Sequence, residues 1–131
     1  MNVAVGASDG HIAMSLETDP LAATHRIVES QSGQRNTVDV PIRSVSSILR
    51  ENQDLFPNII KIDVEGHEGA VMDGMGDTLT DSRLRCIGIE VHFSLLDERG
   101  ESKRPQEIEK NLINHGFKVT WTDASHLLAI R

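Results

Sequence analysis

The sequence predicts an α/β fold with a mostly parallel sheet and an antiparallel pair of strands at its C-terminal edge. Residues 59–64 and 84–91 are apolar, β-branched runs, which are typical of strands covered on both faces. Helical patterns before, between and after these runs give the alternation from which parallel sheets are built. Residues 117–121 and 126–130 form two further strands, and their four-residue connection is too short for a parallel crossover. This last pair must therefore be antiparallel.

The N-terminal part of the chain is predicted to begin with a β-hairpin. Residues 2–7 have the pattern of a strand, and residues 8–10 carry the turn sequence Ser-Asp-Gly. Apolar and polar side chains then alternate over residues 11–17, which indicates a half-buried partner strand. Residues 17–36 are polar and rich in Ser, Gln and Gly, so we expect a loop there with at most one edge strand.

A strand and a short helix follow this loop. Residues 37–42 form a strand in which Pro41 favours an edge position or a strand end, because proline has no N–H to donate. Residues 44–52 place three apolar side chains on one helix face and begin with Ser44, a candidate N-cap.

Two helices flank the second buried strand. A glycine-containing turn at residues 66–69 leads into a helix predicted over residues 70–79. Residues 105–115 form an amphipathic helix, with Pro105 suited to its first turn and Gly116 to its end.

Length and charge limit the classes of protein to which the chain can belong. Its 131 residues are enough for one domain and too few for two. With 13 basic and 20 acidic residues the net charge is −7, which argues against a nucleic-acid partner because phosphate binding needs a basic face. The single cysteine, Cys86, cannot form an internal disulfide. The sequence has neither a membrane-spanning stretch nor a targeting segment, so we expect a soluble cytoplasmic protein.

Polar side chains follow both buried strands at the point where each strand ends. Asp63 and Glu65 follow the first strand, and Glu90 and His92 follow the second. Ligands of open α/β sheets bind beyond the carboxyl ends of the parallel strands. Charged groups that close apolar strands cost desolvation free energy unless they are paired or lie in a cleft. The sequence therefore indicates a functional site at this edge of the sheet.

The same residues also have a structural interpretation of equal weight on composition alone. Asp63 can cap the following helix, Glu65 can favour the positive end of that helix, and Glu90 and His92 can be solvated strand ends. His67 together with Asp63 and Glu65 offers donor atoms for a hard divalent ion. However, the six histidines show no zinc-binding spacing and no calcium loop is complete, so we predict no metal.

The segment KIDVEGHEGAVMDGM, followed by IGIEVH, closely resembles the FkbM-type S-adenosylmethionine-dependent methyltransferases. The family pattern there is approximately K-I-D-V-E-G-x-E, then x-x-L-x-G, with E-x-H on the next strand. The matching residues in this chain are Lys61, Ile62, Asp63, Val64, Glu65, Gly66, Glu68, Met72, Gly74, Glu90 and His92. Upstream, AVGASDG is similar to the family turn A-V-G-D-x-x-G and VPIRSVSSIL to the segment V-x-V-x-x-L-D-x-L, so the resemblance covers residues 2–93.

The resemblance implies a partial Rossmann-like class I methyltransferase fold with S-adenosylmethionine as cofactor. The implied reaction is transfer of a methyl group to a hydroxyl on a sugar or another small molecule, in which positioning supplies most of the catalysis. Family members carry a glycine-rich cofactor loop ahead of the AVG turn. We therefore expect residues 1–131 to form a single, N-terminally truncated methyltransferase domain.

The resemblance also implies roles for individual residues. The implied catalytic residues are Asp63, Glu65, His92 and Glu90. Of these, His92 is the candidate general base, and Glu90 has the alternative role of orienting it. The implied cofactor-binding residues are Gly6, Ala7 and Asp63. Ala7 stands where the family usually has an acidic residue, and Ser46 stands where it usually has Asp.

Two other functions fit parts of the sequence. A non-catalytic remnant of this fold would be an interaction module that self-associates, or binds a partner subunit, at the seam where the first strands would pack. A metal-assisted hydrolase would use the same acidic residues and would depend on an added divalent ion. The missing glycine loop favours the remnant, whereas retention of Asp63, Glu65 and His92 favours the methyltransferase.

Overall fold

The protein is described by a computed structural model that covers residues 2–15 and 37–131. This part of the chain forms a mixed α/β structure with two β-sheets and four α-helices. The predicted loop at residues 17–36 lies outside the described residues. The fold class predicted from the sequence is confirmed, although the strands are divided between two sheets.

The first sheet has three strands, and its middle strand is not the predicted one. Its strands are β1 (Ala4–Val5), β2 (Gly10–Ser15) and β3 (Thr37–Arg43), in the order β1-β3-β2. β3 is parallel to β1 and antiparallel to β2. The predicted hairpin between the first two strands is therefore wrong: β3 lies between them and offers partners to all six residues of β2.

Pro41 lies in this middle strand, two residues before the strand ends. Of the two positions predicted for it, a sheet edge or a strand end, the edge is therefore wrong. β1 pairs only with Ile42 and Arg43, and Pro41 therefore lies opposite no residue of β1. This short pairing tolerates a residue without an N–H, because the ladder on that side begins after the proline.

A short helix begins directly after β3, as predicted. It is α1 (Val45–Glu51), and Ser44 is its N-cap, with the Ser44 hydroxyl accepting a hydrogen bond from the Ser47 N–H at 3.2 Å. A 3₁₀ turn at Gln53–Leu55 then leads toward the second sheet.

The second sheet has four strands in the order β4-β5-β7-β6. Their bounds are β4 (Ile59–Ile62), β5 (Cys86–Glu90), β6 (Lys118–Trp121) and β7 (His126–Ile130). β4 and β5 are parallel, whereas β7 is antiparallel to both β5 and β6. The predicted antiparallel pair is confirmed, and antiparallel pairing extends further inward than the sequence suggested, because β7 lies directly beside β5.

Two helical segments of the C-terminal part differ from the predictions. Helix α2 (Glu68–Asp73) is followed by a separate 3₁₀ turn (Gly76–Thr80), where one helix over residues 70–79 was predicted. Gly76 has a φ of 45°, which is incompatible with a continuous right-handed helix. Helix α3 (Phe93–Glu98) was not predicted.

Helix α4 (Arg104–Asn114) agrees with its prediction. Pro105 lies in its first turn, and Gly116 follows its end with a φ of 84°.

The hydrophobic core belongs to the second sheet and its helices. Its buried apolar members are Ile62, Val71, Met72, Met75, Leu79, Leu84, Ile87, Ile89, Val91, Leu96, Ile108, Leu112, Phe117, Leu127 and Ala129. No residue of α1 is buried, and Val5 and Val45 only pack against the core from outside. Among the described helices, none combines the length and apolar composition that crossing a bilayer requires.

Candidate functional site

The predicted catalytic residues meet at the carboxyl ends of β4 and β5. Because these two strands are parallel, both release the chain at the same edge of the sheet. Asp63 and Glu65 follow β4, and Glu90 is the last residue of β5. His92 lies between β5 and α3, where it occupies the N-cap position of that helix.

A strained turn carries Glu65 back toward β5. Within the described residues Glu65 is the one non-glycine residue with a positive φ (49°), and Gly66 continues the turn with a φ of 87°. A Cβ on Gly66 would lie 2.8 Å from the Cβ of Leu95, so space as well as conformation requires glycine there. A left-handed conformation at a non-glycine residue costs about 1 kcal/mol or more, and such strain concentrates at functional sites.

His92 lies at the centre of the site. Its Nε2 is 3.6 Å from Oε2 of Glu65, 3.9 Å from Oδ1 of Asp63 and 4.0 Å from Oε1 of Glu90. Its Nδ1 is 2.7 Å from Oε1 of Glu68. One ring nitrogen is thus hydrogen-bonded, and the other faces three carboxylates from just beyond hydrogen-bond distance. We call Asp63, Glu65, Glu68, Glu90 and His92 the acidic cluster.

The surrounding carboxylates make the His92 imidazole more basic. Burial by itself lowers the pKa of His92, but the hydrogen bond to Glu68 and the charges of Glu68, Glu65 and Glu90 outweigh it and raise the pKa. Nearby negative charge favours the protonated form of an imidazole. The site is therefore suited to accepting a proton.

Glu68 is the residue of this cluster to which the sequence assigned no role. Its side chain is 0% exposed, and its Oε1 also accepts a hydrogen bond from the Gly66 N–H at 2.9 Å. Its Oε2 is buried without a hydrogen-bond partner. The resemblance gave Glu90 the alternative role of orienting His92, but the hydrogen bond of His92 is with Glu68, and Glu90 lies 4.0 Å away. The signal for it was present, because Glu68 completes the K-I-D-V-E-G-x-E motif.

Lys61 supplies positive charge at the rim of the acidic cluster. Its Nζ is 3.2 Å from Oδ2 of Asp63 and 3.5 Å from Oε2 of Glu90. The hydrogen bond to Asp63 raises the pKa of Lys61, so this amine stays protonated and is not a candidate base. His126 lies on the far side of Glu90, with Nε2 3.4 Å from the same Oε2.

Asp63, Glu90 and His92 have the donor types of a divalent-cation site. One ligand atom from each lies within 4.8 Å of the other two. The Lys61 ammonium already lies between the two carboxylates, however, so this part of the cluster carries its own cation. His67, the alternative metal ligand, accepts a hydrogen bond from Arg99 at 2.6 Å instead of joining these residues. Burial, followed by the charge of Arg99, lowers the pKa of His67.

The structure places Gly6 and Ala7 beside a different part of the molecule. The Gly6 N–H donates to the Arg43 carbonyl at 3.0 Å, and a Cβ on Gly6 would lie 2.5 Å from Cδ1 of Ile42. Ala7 is exposed and lies against Gly74, at the end of α2. A Cβ at position 6 would have to displace the end of the flexible Ile42 side chain, so packing favours glycine there without requiring it. The cofactor contacts predicted for Gly6 and Ala7 stay predictions.

Comparisons with known proteins identify the relatives of this chain. Residues 1–119 match the methyltransferase FkbM domain. A region of 89 residues, 66% of the chain, is 30% identical to "Hexuronic acid methyltransferase AglP" from Haloferax volcanii. This region spans 34% of that relative, about a third of its length. No solved structure matches the chain. The match over most of the sequence confirms the resemblance seen in its motifs, and the chain belongs to the FkbM methyltransferase family.

Proposed function

We propose that the chain takes part in S-adenosylmethionine-dependent O-methylation of a hydroxyl group on a sugar or a similar small molecule. The observation that supports this reaction best is the environment of His92. One ring nitrogen is anchored by Glu68 at 2.7 Å, while Nε2 faces the open edge of the sheet among three carboxylates. An anchored imidazole with one free nitrogen is the arrangement that general-base catalysis needs.

The charges of the acidic cluster fit the proposed cofactor. S-adenosylmethionine, when bound, supplies an activated methyl group on a positively charged sulfonium sulfur. Asp63 is 45% exposed at the end of β4, and its carboxylate complements positive charge at this edge. We assign Asp63 to the contact between cofactor and acceptor, with Glu65 as its partner.

His92 performs the proton transfer in the proposed reaction. Its Nε2 would remove the proton of the acceptor hydroxyl as the hydroxyl oxygen bonds to the methyl carbon and the bond between that carbon and the sulfonium sulfur breaks, which leaves S-adenosylhomocysteine as the neutral product. The imidazolium that results is stabilised by the carboxylates of Glu65, Glu68 and Glu90. The proton then leaves to solvent, because His92 is 19% exposed. General-base catalysis of this kind typically contributes about 10²-fold to 10⁴-fold in rate.

The relative supports a sugar as the acceptor, and the local charge favours a neutral sugar. The name of the Haloferax volcanii relative specifies a hexuronic acid, which is a sugar with both hydroxyl and carboxylate groups. In this chain four carboxylates face one lysine around His92, so an acceptor with its own carboxylate close to the reacting hydroxyl is repelled. We therefore propose a neutral sugar hydroxyl at the reacting position.

The test combines binding with methyl transfer. The 131-residue chain is titrated calorimetrically with S-adenosylhomocysteine, and light scattering on the same sample tests the predicted self-association. Transfer of labelled methyl is then followed to two acceptors, methyl glucoside and glucuronic acid. We expect saturable binding and faster labelling of the neutral sugar. A folded chain that binds no S-adenosylhomocysteine and labels neither sugar would contradict the proposal.

Two variants assign the activity to the site. His92→Gln keeps a polar side chain but removes the base, so we expect turnover to fall by about 10²-fold or more with binding retained. His11→Gln is the matched control, because His11 is an exposed residue of β2. Equal loss in both variants, or none in either, would argue against His92 as the base.

A further inference from the structure

We infer that Glu68 is the positioning residue for His92: its buried carboxylate holds the imidazole proton on Nδ1 and leaves Nε2 as the proton-accepting atom. The hydrogen bond between Glu68 Oε1 and His92 Nδ1, at 2.7 Å, is the observation behind this inference. The catalytic meaning of the inference rests on the proposed function, whereas the position of the proton does not.

The Glu68 carboxylate is held rigidly in place. Glu68 is the first residue of α2, and its side chain is 0% exposed. The Gly66 N–H donates to the same Oε1 at 2.9 Å, which fixes that oxygen from the backbone. A carboxylate anchored in this way cannot rotate away from the imidazole without breaking a second hydrogen bond in a buried position.

The chemistry of the two groups determines which ring nitrogen carries the proton. An ionised carboxylate only accepts hydrogen bonds, so the Nδ1 of His92 must be the donor. The groups that face Nε2 are Asp63 and Glu65 from the turn after β4 and Glu90 from β5, and all three lie 3.6 to 4.0 Å away. None of them is close enough to hold a proton on Nε2 directly. The neutral imidazole therefore carries its proton on Nδ1.

The second oxygen of Glu68 indicates that protonation of His92 during the reaction stabilises the buried Glu68 carboxylate. Oε2 is buried without a hydrogen-bond partner, and His92, which can become positive, is hydrogen-bonded to the other oxygen of the same carboxylate. A buried carboxylate is costly unless a positive charge compensates it. Protonation of His92 on Nε2 supplies that charge, so Glu68 stabilises the imidazolium formed when the acceptor hydroxyl loses its proton.

The competing interpretation is that Glu68 only holds the Gly66 turn. The hydrogen bond to Gly66 would then matter, and the contact to His92 would be incidental. The two interpretations differ in the state of the His92 ring, which nitrogen-15 NMR measures directly in the intact 131-residue protein. The His92 signals are assigned by their absence from His92→Gln.

The first readout is the tautomer of neutral His92 in the wild-type protein. We expect Nδ1 to show the shift of a protonated ring nitrogen and Nε2 that of an unprotonated one. Exposed His11 serves as the internal reference for an imidazole in water. A His92 ring with its proton on Nε2 would overturn the inference, whatever the protein methylates.

The second readout compares two variants that remove one negative charge each. Glu68→Gln keeps the amide oxygen available to the Gly66 N–H, and we expect the His92 titration midpoint and the acidic arm of any pH–rate profile to move together to lower pH, by about 1 pH unit or more. Asp63→Asn removes a charge from the Nε2 side and is expected to leave the tautomer unchanged. An unmoved midpoint in folded Glu68→Gln would show that Glu68 acts only on the turn.

The outcomes separate this inference from the proposed reaction. A protein with the Nδ1 tautomer that transfers no methyl group would confirm the positioning and contradict the proposed function. A protein that methylates sugars with the opposite tautomer would do the reverse. If Glu68→Gln fails to fold, the wild-type tautomer alone decides the inference.

Discussion

The two sheets of this protein use carboxylates in opposite ways. Beside the first sheet, Asp9 accepts hydrogen bonds from the Ser47 hydroxyl at 2.6 Å and the Ser44 N–H at 2.8 Å, and Arg43 lies 3.5 Å from its other oxygen. These donors, the Ser47 hydroxyl first, lower the pKa of Asp9 to about 2. At the second sheet, four carboxylates surround one imidazole, and Oε2 of Glu68 has no partner.

This difference separates a structural network from a functional one. The Asp9 network uses its acceptors to fix the start of α1, in a region that contributes none of the buried apolar residues of the core. The acidic cluster stands on the packed core, where Ile62, Ile89 and Val91 are at most 2% exposed. A binding site requires polar groups that are held in place but lack a hydrogen-bond or charge partner, because a ligand can then supply that partner.

The largest expected effect on stability is at Gly74, where α2 of the second region contacts the backbone of the first region. A Cβ at Gly74 would overlap the backbone carbonyl oxygen of Gly6, and the Gly74 carbonyl also accepts from the Ser46 N–H at 3.0 Å. Because both partners are backbone, neither can move without displacing β1 or α1. We expect Gly74→Ala to lower the free energy of unfolding by about 3 kcal/mol or more, as measured by urea denaturation.

Gly10→Ala is the control for this substitution. A Cβ at Gly10 would meet only Cγ2 of Ile42, at 3.9 Å, which is an ordinary contact. We expect its unfolding free energy to stay within about 1 kcal/mol of the wild type. An equal loss of unfolding free energy in the two variants would mean that any side chain added near the first sheet is destabilising. The contact of Gly74 with Gly6 would then have no special importance.

The sequence predicted the second sheet better than the first for a physical reason. Residues 59–64 and 84–91 are rich in apolar and β-branched residues, so their composition alone predicts strands. The predicted cover on both faces is wrong for β4, where Ile59 is 70% exposed. The pairing of β1 and β2 depends on β3, which is distant in sequence, and local turn signals favoured the wrong partner. Helix α3 is six residues long, too short to show a clear period.

The candidate site was predicted in the same uneven way. The rule that ligands bind at the carboxyl ends of parallel strands predicted a site made of Asp63, Glu65, Glu90 and His92. In the structure the three carboxylates lie around the His92 imidazole. The contact between Glu68 and His92 was not predicted, because the predicted helix began at residue 70 and Glu68 was therefore assigned to a turn. Its burial follows from the earlier start of α2, a boundary that composition does not determine.

The next effect tests the structural character of the Asp9 network. Ser44→Ala removes the N-cap acceptor of the Ser47 N–H, and we expect the free energy of unfolding to fall by about 1 kcal/mol. Nitrogen-15 relaxation of α1 should show fraying of its first turn while the His92 signals stay unchanged. A shift of the His92 signals would show that the two regions are coupled and that the Asp9 network is not purely structural.

A smaller change in stability, of opposite sign, is expected for a substitution at Glu65 in the acidic cluster. Glu65→Gly relieves the left-handed strain at a φ of 49°, and the added freedom of glycine in the unfolded chain offsets part of the gain. We expect a net stabilisation of about 0.5 kcal/mol, seen as a higher melting temperature, together with loss of any methyl transfer. Destabilisation by Glu65→Gly would mean that the Glu65 carboxylate supports the fold, and the contrast between the two regions would weaken.

The smallest effect is the pH dependence of the Asp9 network, because Asp9 lies at the surface, where solvent and salt screen its interactions. Asp9 has a folded-state pKa of about 2, below its usual 3.8, so its stabilisation is present above pH 3.8 and is lost as the pH falls through about 2. We expect the stability difference between the wild type and Asp9→Asn to be constant above pH 4 and to close on acidification. Ser47→Ala added to Asp9→Asn should change little, because the strongest hydrogen bond of the network is then already absent. A difference that is undiminished at pH 2 would show that the charge of Asp9 does not stabilise α1, since about half of the folded molecules then carry a protonated Asp9.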